Sequence, residues 1–188
     1  MCRSSGVGKR NYAMVLLASR LGLRASDIVN LQFSNINWDN NLITIIMQKT
    51  GKVIELPLLT DVGNAIIDYL QYGRPQSNLQ YLFLSSRAPY VAATKAMVCS
   101  AINAIICKSG VDVTAKHHGP HSLRHSLASA MLKNGTMIPI ISESLGHRST
   151  ETTLTYLKID SESLMECALE VPSVPADFYE QRGGAFYV

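Results

Sequence analysis

Long hydrophobic runs are absent from this sequence of 188 residues. A membrane-spanning helix requires roughly 20 consecutive apolar residues, and the longest apolar runs, at Met14–Ala18 and Leu42–Met47, are far shorter. The first residues, MCRSSGVGKR, carry charge, but no apolar segment follows them directly. The sequence therefore predicts neither a membrane span nor a secretory signal peptide.

Cysteines are few, and their spacing is not that of a metal site. The four of them form no CxxC pair and no zinc-like pattern; they are Cys2, Cys99, Cys107 and Cys167. We therefore expect reduced thiols in a cytoplasmic protein. Because Cys99 and Cys107 are eight residues apart in a helical stretch, we also expect them to share a buried helix face.

Nucleotide-binding and metalloenzyme motifs are missing as well. GVGKR at residues 6–10 lacks the first glycine of the GxxxxGK[ST] phosphate loop, and Arg10 stands where that motif requires serine or threonine. His121 and His125 are four residues apart, but no HExxH motif contains them and no carboxylate lies nearby in register. The sequence therefore predicts no cofactor and no metal. A metal-dependent hydrolase remains an alternative, which a chelator would test.

Charge is distributed unevenly along the chain. Charged residues make up 16% and hydrophobic residues 47% of it, a balance typical of a folded protein rather than a disordered one. Residues 1–159 contain 16 basic and 8 acidic side chains, a net charge of +8, whereas residues 160–188 contain one basic and six acidic side chains, a net charge of −5. A basic body of this kind favours a polyanionic partner.

Hydrophobic periodicity predicts a mainly α-helical α+β domain with a small antiparallel β-sheet. Residues 42–47 and 53–57 flank the turn KTGK at 49–52, a pattern that predicts a β-hairpin, and Gln80–Leu84 is a predicted third strand. A short helix is predicted from Ala25 or Ser26 through Leu31. The other predicted helices are Lys9–Leu21, Asp61–Tyr72, Ala92–Ser109, His121–Asn134, Ile138–Leu145, Thr150–Ile159 and Glu162–Glu170.

Six side chains suited to phosphate chemistry are distributed along the basic part of the chain. They are Arg24, Lys49, His121, Arg124, His147 and Tyr156. His121 and Arg124 are three residues apart at the start of a helix, so they share a face where free backbone N–H groups favour an anion. Taken singly, each residue has an ordinary structural explanation: Lys49 is a solvated turn lysine, for example, and Tyr156 a core aromatic.

In combination, these residues resemble the tyrosine recombinase (phage integrase) family, and the resemblance covers residues 9–170. The matching motifs are GLRASD, KTGK followed by LPL, HSLRHS, LGH and TxxTY. Lys49 precedes Pro57 by eight residues, and Tyr156 follows His147 by nine, and both spacings are similar to those of the family. The resemblance implies the family's catalytic-domain fold and a site-specific DNA recombinase.

The resemblance also implies which residues would bind the phosphate and stabilise its charge. Arg24 and Arg124 would hold the non-bridging oxygens of a DNA phosphodiester, and their fixed charge would stabilise the transition state without a metal. His147 would donate a hydrogen bond to the same phosphate. Asp27 occupies the family's acidic position and would orient Arg24.

Three further residues would carry out the bond breaking, bond formation and proton transfer. Tyr156 would attack the phosphodiester and form a 3′-phosphotyrosine, with His121 helping to accept its proton. Lys49 would reach in from the hairpin and protonate the leaving 5′-oxygen. Because the covalent step conserves the energy of the broken bond, strands would be exchanged without ATP, for integration or excision of a mobile element.

The resemblance implies a domain organisation and partners. We expect a catalytic domain over residues 1–170 and a C-terminal tail over 171–188. The family's N-terminal domain, which clamps the other face of DNA, does not fit into the 23 residues before Arg24. We therefore expect a catalytic fragment, and a minimal recombinase is the alternative. The expected partners are double-stranded DNA and, in the active assembly on two DNA sites, three further copies of the chain. The isolated fragment is expected to be a monomer in the bacterial cytoplasm.

Two further alternatives stay open. A type IB topoisomerase uses a similar catalytic set to relax supercoils, although the LGH block and the compact spacing favour a recombinase. A DNA-binding regulator that kept the fold but lost catalysis is the other alternative. All six catalytic positions are filled, which argues against it.

Overall fold

The computed structural model describes residues 4–110 and 119–146. Within them, six helices and a three-stranded sheet follow one another along the chain. The helices are α1 (Gly6–Arg20), α2 (Ala25–Val29), α3 (Thr60–Tyr72), α4 (Lys95–Lys108), α5 (Pro120–Lys133) and α6 (Ile138–Ser144). The strands are β1 (Ile36–Asn37), β2 (Leu42–Ile46) and β3 (Val53–Pro57), and a 3₁₀ turn at Phe33–Asn35 precedes β1. The predicted mainly helical α+β fold with a small antiparallel sheet is confirmed.

The central helix α1 forms because apolar side chains recur on one of its faces. Ala13, Met14, Leu17 and Ala18 are fully buried, which is the spacing of a helix that faces a core. The Ser5 side chain caps the helix by accepting the N–H of Gly8 at 3.1 Å. The predicted helix is therefore confirmed, with a start three residues earlier than Lys9.

The β-hairpin is confirmed, whereas the predicted third strand at Gln80–Leu84 is wrong. The sheet has the order β1-β2-β3, is antiparallel throughout, and buries alternate residues of the hairpin. Residues 80–84 instead form isolated bridges, one of them from Leu84 to Ala92. Arg74 takes up carbonyl oxygens of this segment, with hydrogen bonds of 2.9 Å to Tyr81 and 3.2 Å to Leu82. Arg74 thus occupies two of the carbonyls that a strand partner could use, and the pairing of this segment stays limited to the isolated bridges.

Segment 80–84 contributes to the main core instead. Leu82, Phe83 and Leu84 are all fully buried, so the segment lacks the alternation of a strand with one solvent face. Phe83 stacks on Tyr69 with ring centroids 5.5 Å apart. The hydroxyl of Tyr69 accepts the N–H of Leu84 at 3.3 Å, and burial raises the pKa of that hydroxyl.

Helix α4 begins three residues later than the predicted Ala92, because Ala92 bridges to Leu84 and Thr94 caps the helix. Its buried face is formed by Val98, Ala101 and Ile102. Cys99 is half-buried and Cys107 is exposed, so the prediction that they share a buried face is wrong. At about 100° per residue, eight residues leave the two cysteines about 80° apart around the helix.

A smaller cluster joins α5 to α6 through Ala128, Ile141 and Leu145. Both helices are confirmed, each within one residue of its predicted bounds. The predicted helices at Thr150–Ile159 and Glu162–Glu170, and the predicted tail at 171–188, lie outside the described residues. In the part of the chain that the structure describes, no helix is long and apolar enough to cross a membrane.

Candidate active site

A cavity of about 520 Å³ brings together residues from four separate segments of the sequence. Its walls are the start of α2, the turn of the β2–β3 hairpin, the first turns of α4 and the first turns of α5. Four of the six predicted catalytic residues line it: Arg24, Lys49, His121 and Arg124. The other two, His147 and Tyr156, lie outside the described residues.

Arg24 enters the cavity from the N-cap position of α2. The preceding Gly22 has a φ of +62°, and this left-handed residue turns the chain between α1 and α2. The Nη1 atom of Arg24 is buried, and no described residue accepts a hydrogen bond from it. A buried guanidinium donor without an acceptor is costly. An anion such as a phosphate oxygen would satisfy it.

Arg124 is locked in place by backbone carbonyls. It is only 4% exposed. Its Nη1 atom donates to the carbonyl of Gly22 at 2.7 Å, and its Nη2 atom donates to the carbonyl of Leu145. The guanidinium therefore joins the turn that precedes Arg24 to the end of α6. Because two of its N–H groups are bonded to carbonyls of the main chain, the guanidinium is held in position at the wall of the cavity.

His121 is exposed in the first turn of α5, one turn before Arg124 and His125. The pKa of His125 is lowered by burial and by the positive charges of His121 and Arg124. Among residues 4–110 and 119–146, no group of three histidine, cysteine or acidic side chains is arranged to hold a metal ion.

Lys49 lies on an exposed turn whose backbone is closed by hydrogen bonds. The N–H of Gly51 donates to the carbonyl of Met47 at 2.8 Å, and the N–H of Met47 donates to the carbonyl of Lys52 at 2.9 Å. Gly51 has a φ of +68°, which glycine adopts without strain. The turn therefore holds Lys49 at the mouth of the cavity.

The structure gives Asp27 a partner other than the predicted one. Its side chain is 1% exposed, and its Oδ1 atom accepts the N–H of Gln48 at 3.0 Å. In the described part of the chain, Arg24 and Asp27 share no side-chain hydrogen bond, and Asp27 Oδ2 has no partner. The carboxylate thus ties α2 to the residue immediately before Lys49, rather than orienting Arg24 directly.

A second close contact involves Met47, which lies between β2 and the hairpin turn. Gly146, in the LGH motif, has a φ of +60°. A Cβ atom on it would lie 3.1 Å from two side-chain atoms of Met47 and 3.5 Å from Ile54 in β3. The segment that follows α6 therefore packs closely on the hairpin, next to its turn.

Lys95 and Cys99 also line the cavity, and neither was predicted from the sequence to belong to the site. Both belong to α4 and are four residues apart, so they share one helix face. No signal in the sequence pointed to Cys99, because it was predicted to lie on a buried face of the helix. The approach of α4 to the other walls is a tertiary contact that local sequence does not encode.

The comparisons with known proteins agree with this geometry. Residues 1–163 match the model of the phage integrase family, and the chain belongs to that family. A Sinorhizobium fredii protein named as an integrase/recombinase, y4rA, is 39% identical over 90% of this chain and 41% of its own length. Tyrosine recombinase XerA of Pyrococcus furiosus is 36% identical over 84% of this chain and 53% of its own length. The chain thus spans about half the length of these two relatives.

Solved structures show the same fold. The crystal structure of XerA recombinase matches with a TM-score of 0.70 and 27% identity, over 85% of this chain and 57% of that chain. XerH site-specific recombinase, in a post-cleavage complex with its palindromic difH substrate, matches with a TM-score of 0.73 and 23% identity. That match covers 95% of this chain and 48% of XerH. The described elements therefore form the tyrosine recombinase catalytic-domain fold.

Proposed function

We propose that this chain is the catalytic part of a site-specific tyrosine recombinase that cuts and rejoins double-stranded DNA. The observation that carries the proposal is the convergence of Arg24, Lys49, His121 and Arg124 on one cavity. These residues are separated by up to 100 positions in the sequence, so an accidental grouping of four phosphate-binding or proton-transferring side chains is a poor explanation. Family membership supports the same reading.

In the proposed reaction, the scissile phosphate occupies the cavity between the two arginines. Arg24 offers a buried donor that has no acceptor within residues 4–110 and 119–146, and Arg124 is held by two carbonyls. Two preorganised guanidiniums stabilise the charge that accumulates on the phosphate oxygens in the transition state. His147 is assigned a further hydrogen bond to the phosphate.

The bond changes balance without any additional reactant. Tyr156 Oη forms a bond to phosphorus while the bond from phosphorus to the 5′-oxygen breaks. His121 accepts the phenol proton, and Lys49 gives a proton to the leaving 5′-oxygen. The products are a 3′-phosphotyrosine and a 5′-hydroxyl, and attack by a 5′-hydroxyl of another duplex reverses the chemistry and exchanges strands.

The proposed domain spans residues 1–170, with 171–188 as its tail. In the proposed active assembly, four copies hold two duplexes and act for a mobile element, in the cytoplasm of a bacterium. The acidic, partly apolar segment 161–170 is proposed to contact a neighbouring copy. Deletion of residues 161–188 should weaken assembly on DNA and spare cleavage of a single site. Unchanged assembly would contradict this role.

Covalent trapping tests the proposed chemistry. The chain is incubated with nicked duplexes taken from the DNA that flanks its gene, and the products are resolved on a denaturing gel. We expect a protein–DNA band that forms equally well in EDTA and is lost in Tyr156→Phe. Strand cleavage that is lost in EDTA and leaves no covalent band would support a metal-dependent hydrolase instead. A band that persists in Tyr156→Phe would show that the nucleophile is another residue.

A strand-exchange assay separates recombination from topoisomerase activity. A recombinase joins the cut strand to a labelled partner duplex, whereas a topoisomerase rejoins it to its own 5′-hydroxyl. We expect a labelled recombinant strand. Relaxation of supercoiled plasmid with no recombinant strand would identify the type IB topoisomerase alternative.

A further inference from the structure

The cavity has a wall on α4 that none of the assigned catalytic residues occupies. We propose that Lys95, on this wall, binds a DNA phosphate next to the scissile one and so belongs to the DNA-binding surface of the site. The inference rests on the proposed function, because it takes the cavity to hold a DNA backbone. It extends that function by naming a further residue for substrate binding.

The first argument is the charge of the cavity. Three cations besides Lys95 line it, namely Arg24, Lys49 and Arg124. Among the described residues that line the cavity, none is acidic. Such a concentration of like charge is unfavourable unless an anion is bound. A polyanion is therefore the partner that this wall fits.

The second argument is that Lys95 has no evident structural role. Its side chain is exposed, and the ion pairs found in residues 4–110 and 119–146 join Lys9 to Asp68 and Arg20 to Asp61. The start of α4 is already capped, because the Thr94 side chain accepts the N–H of Met97 at 3.3 Å. A cation in the first turn also opposes the helix dipole. Ion pairing, helix capping and the helix dipole therefore do not explain a lysine at this position.

The third argument is geometric. A cavity of about 520 Å³ is larger than a single phosphate group needs. Charges recur along each DNA strand at every 3.4 Å of helical rise, so a strand seated between Arg24 and Arg124 also presents neighbouring phosphates to the other walls. The α4 wall carries Lys95 and none of the assigned catalytic residues, so it is the wall that would contact one of these neighbouring phosphates.

The Lys95→Gln variant tests the inference directly, with Lys108→Gln as the matched control. Lys108 is exposed at the opposite end of α4 and does not line the cavity. We expect Lys95→Gln to bind duplex DNA about three- to tenfold more weakly and to reduce the slope of log affinity against log salt by about one. The maximal rate of covalent adduct formation at saturating DNA should change less than twofold. Lys108→Gln should behave as the wild type.

Thiol labelling tests the same inference without altering Lys95. In a chain carrying Cys2→Ser and Cys167→Ser, N-ethylmaleimide can react with Cys99, one turn from Lys95, and with Cys107, at the far end of α4. We expect bound duplex to slow the labelling of Cys99 at least tenfold and to leave Cys107 unchanged. Equal labelling of Cys99 with and without DNA would overturn the placement of DNA against this wall.

The outcomes separate this inference from the proposed function. If Lys95→Gln retains wild-type affinity and salt dependence while the wild type still forms an adduct through Tyr156, the role of Lys95 is wrong and the recombinase chemistry stands. If the wild type forms neither an adduct nor a salt-sensitive DNA complex, the proposed function is wrong, and the role of Lys95 is wrong with it.

Discussion

Replacement of Asp27 by alanine tests how Lys49, the proposed general acid, is positioned. The substitution removes the oxygen that accepts the N–H of Gln48 at 3.0 Å. A hydrogen bond to a charged acceptor contributes about 1.5–3 kcal/mol. If that free energy holds the hairpin in its active position, its loss lowers the population of the correctly placed Lys49, and hence the cleavage rate, by about 10- to 100-fold.

The assay compares two nicked substrates that differ at one atom, a normal 5′-oxygen substrate and one with sulfur in that position. A thiolate is a good leaving group because a thiol ionises near pH 8.5, so its departure does not require a proton from Lys49. We therefore expect Asp27→Ala to be slow on the oxygen substrate and to approach the wild-type rate on the sulfur substrate. Lys49→Ala should show the same rescue.

Two controls complete this test. Asp27→Asn keeps an oxygen that can accept the N–H of Gln48, so it should lose less activity than Asp27→Ala. Arg24→Ala should remain slow on both substrates, because the charge on the phosphate still needs stabilisation. If Asp27→Ala is equally slow on both substrates, Asp27 acts through Arg24, and the assignment of Asp27 to the hairpin is refuted.

Three further predictions concern stability, each measured by urea unfolding. Gly146→Ala should destabilise the chain by about 1–2 kcal/mol, because Gly146 is left-handed and a Cβ would lie 3.1 Å from Met47; an unchanged midpoint would contradict this contact. Tyr69→Phe should cost about 1 kcal/mol, because the N–H of Leu84 loses its acceptor; a neutral effect would show that this N–H finds another acceptor. The pKa of His125 is lower in the folded chain than in the unfolded chain, so the unfolded chain binds the proton more tightly. The free energy of unfolding should therefore fall as the pH drops below about 6.5 toward the folded pKa. His125→Gln should lose less stability than the wild type between pH 7.5 and 5.5, and an equal loss would contradict the sign of this shift.

Local patterns predicted the helices and the hairpin because each of these elements has a period of its own. Helix α1 buries one face, and β2 and β3 alternate between buried and exposed residues. The same reasoning was wrong for Gln80–Leu84, because a short, continuously apolar run does not reveal whether its backbone groups bond to a strand or to a side chain. Here the guanidinium of Arg74 takes the carbonyls that a neighbouring strand would use.

Four of the predicted site residues line one cavity, but the contacts that hold them in place could not be predicted from the sequence. Arg124 is held by the carbonyls of Gly22 and Leu145, which are 102 and 21 residues away in the sequence. Asp27 bonds to the hairpin, 21 residues away, rather than to Arg24. Such contacts depend on how elements meet in space, whereas motif spacing reports only which elements carry the reactive groups. The position of Lys95 at the cavity depends on a contact of the same kind.

The central claim, that Tyr156 is the nucleophile of a DNA strand transferase, is tested most directly by locating the covalent bond. The trapped adduct is digested with nuclease and protease, and the modified peptide is identified by mass spectrometry. The chain contains eight tyrosines, so the position of the modification is decisive. We predict a nucleotide joined through its 3′-phosphate to Tyr156. A modification on any other residue, or a linkage through a 5′-phosphate, would contradict the account.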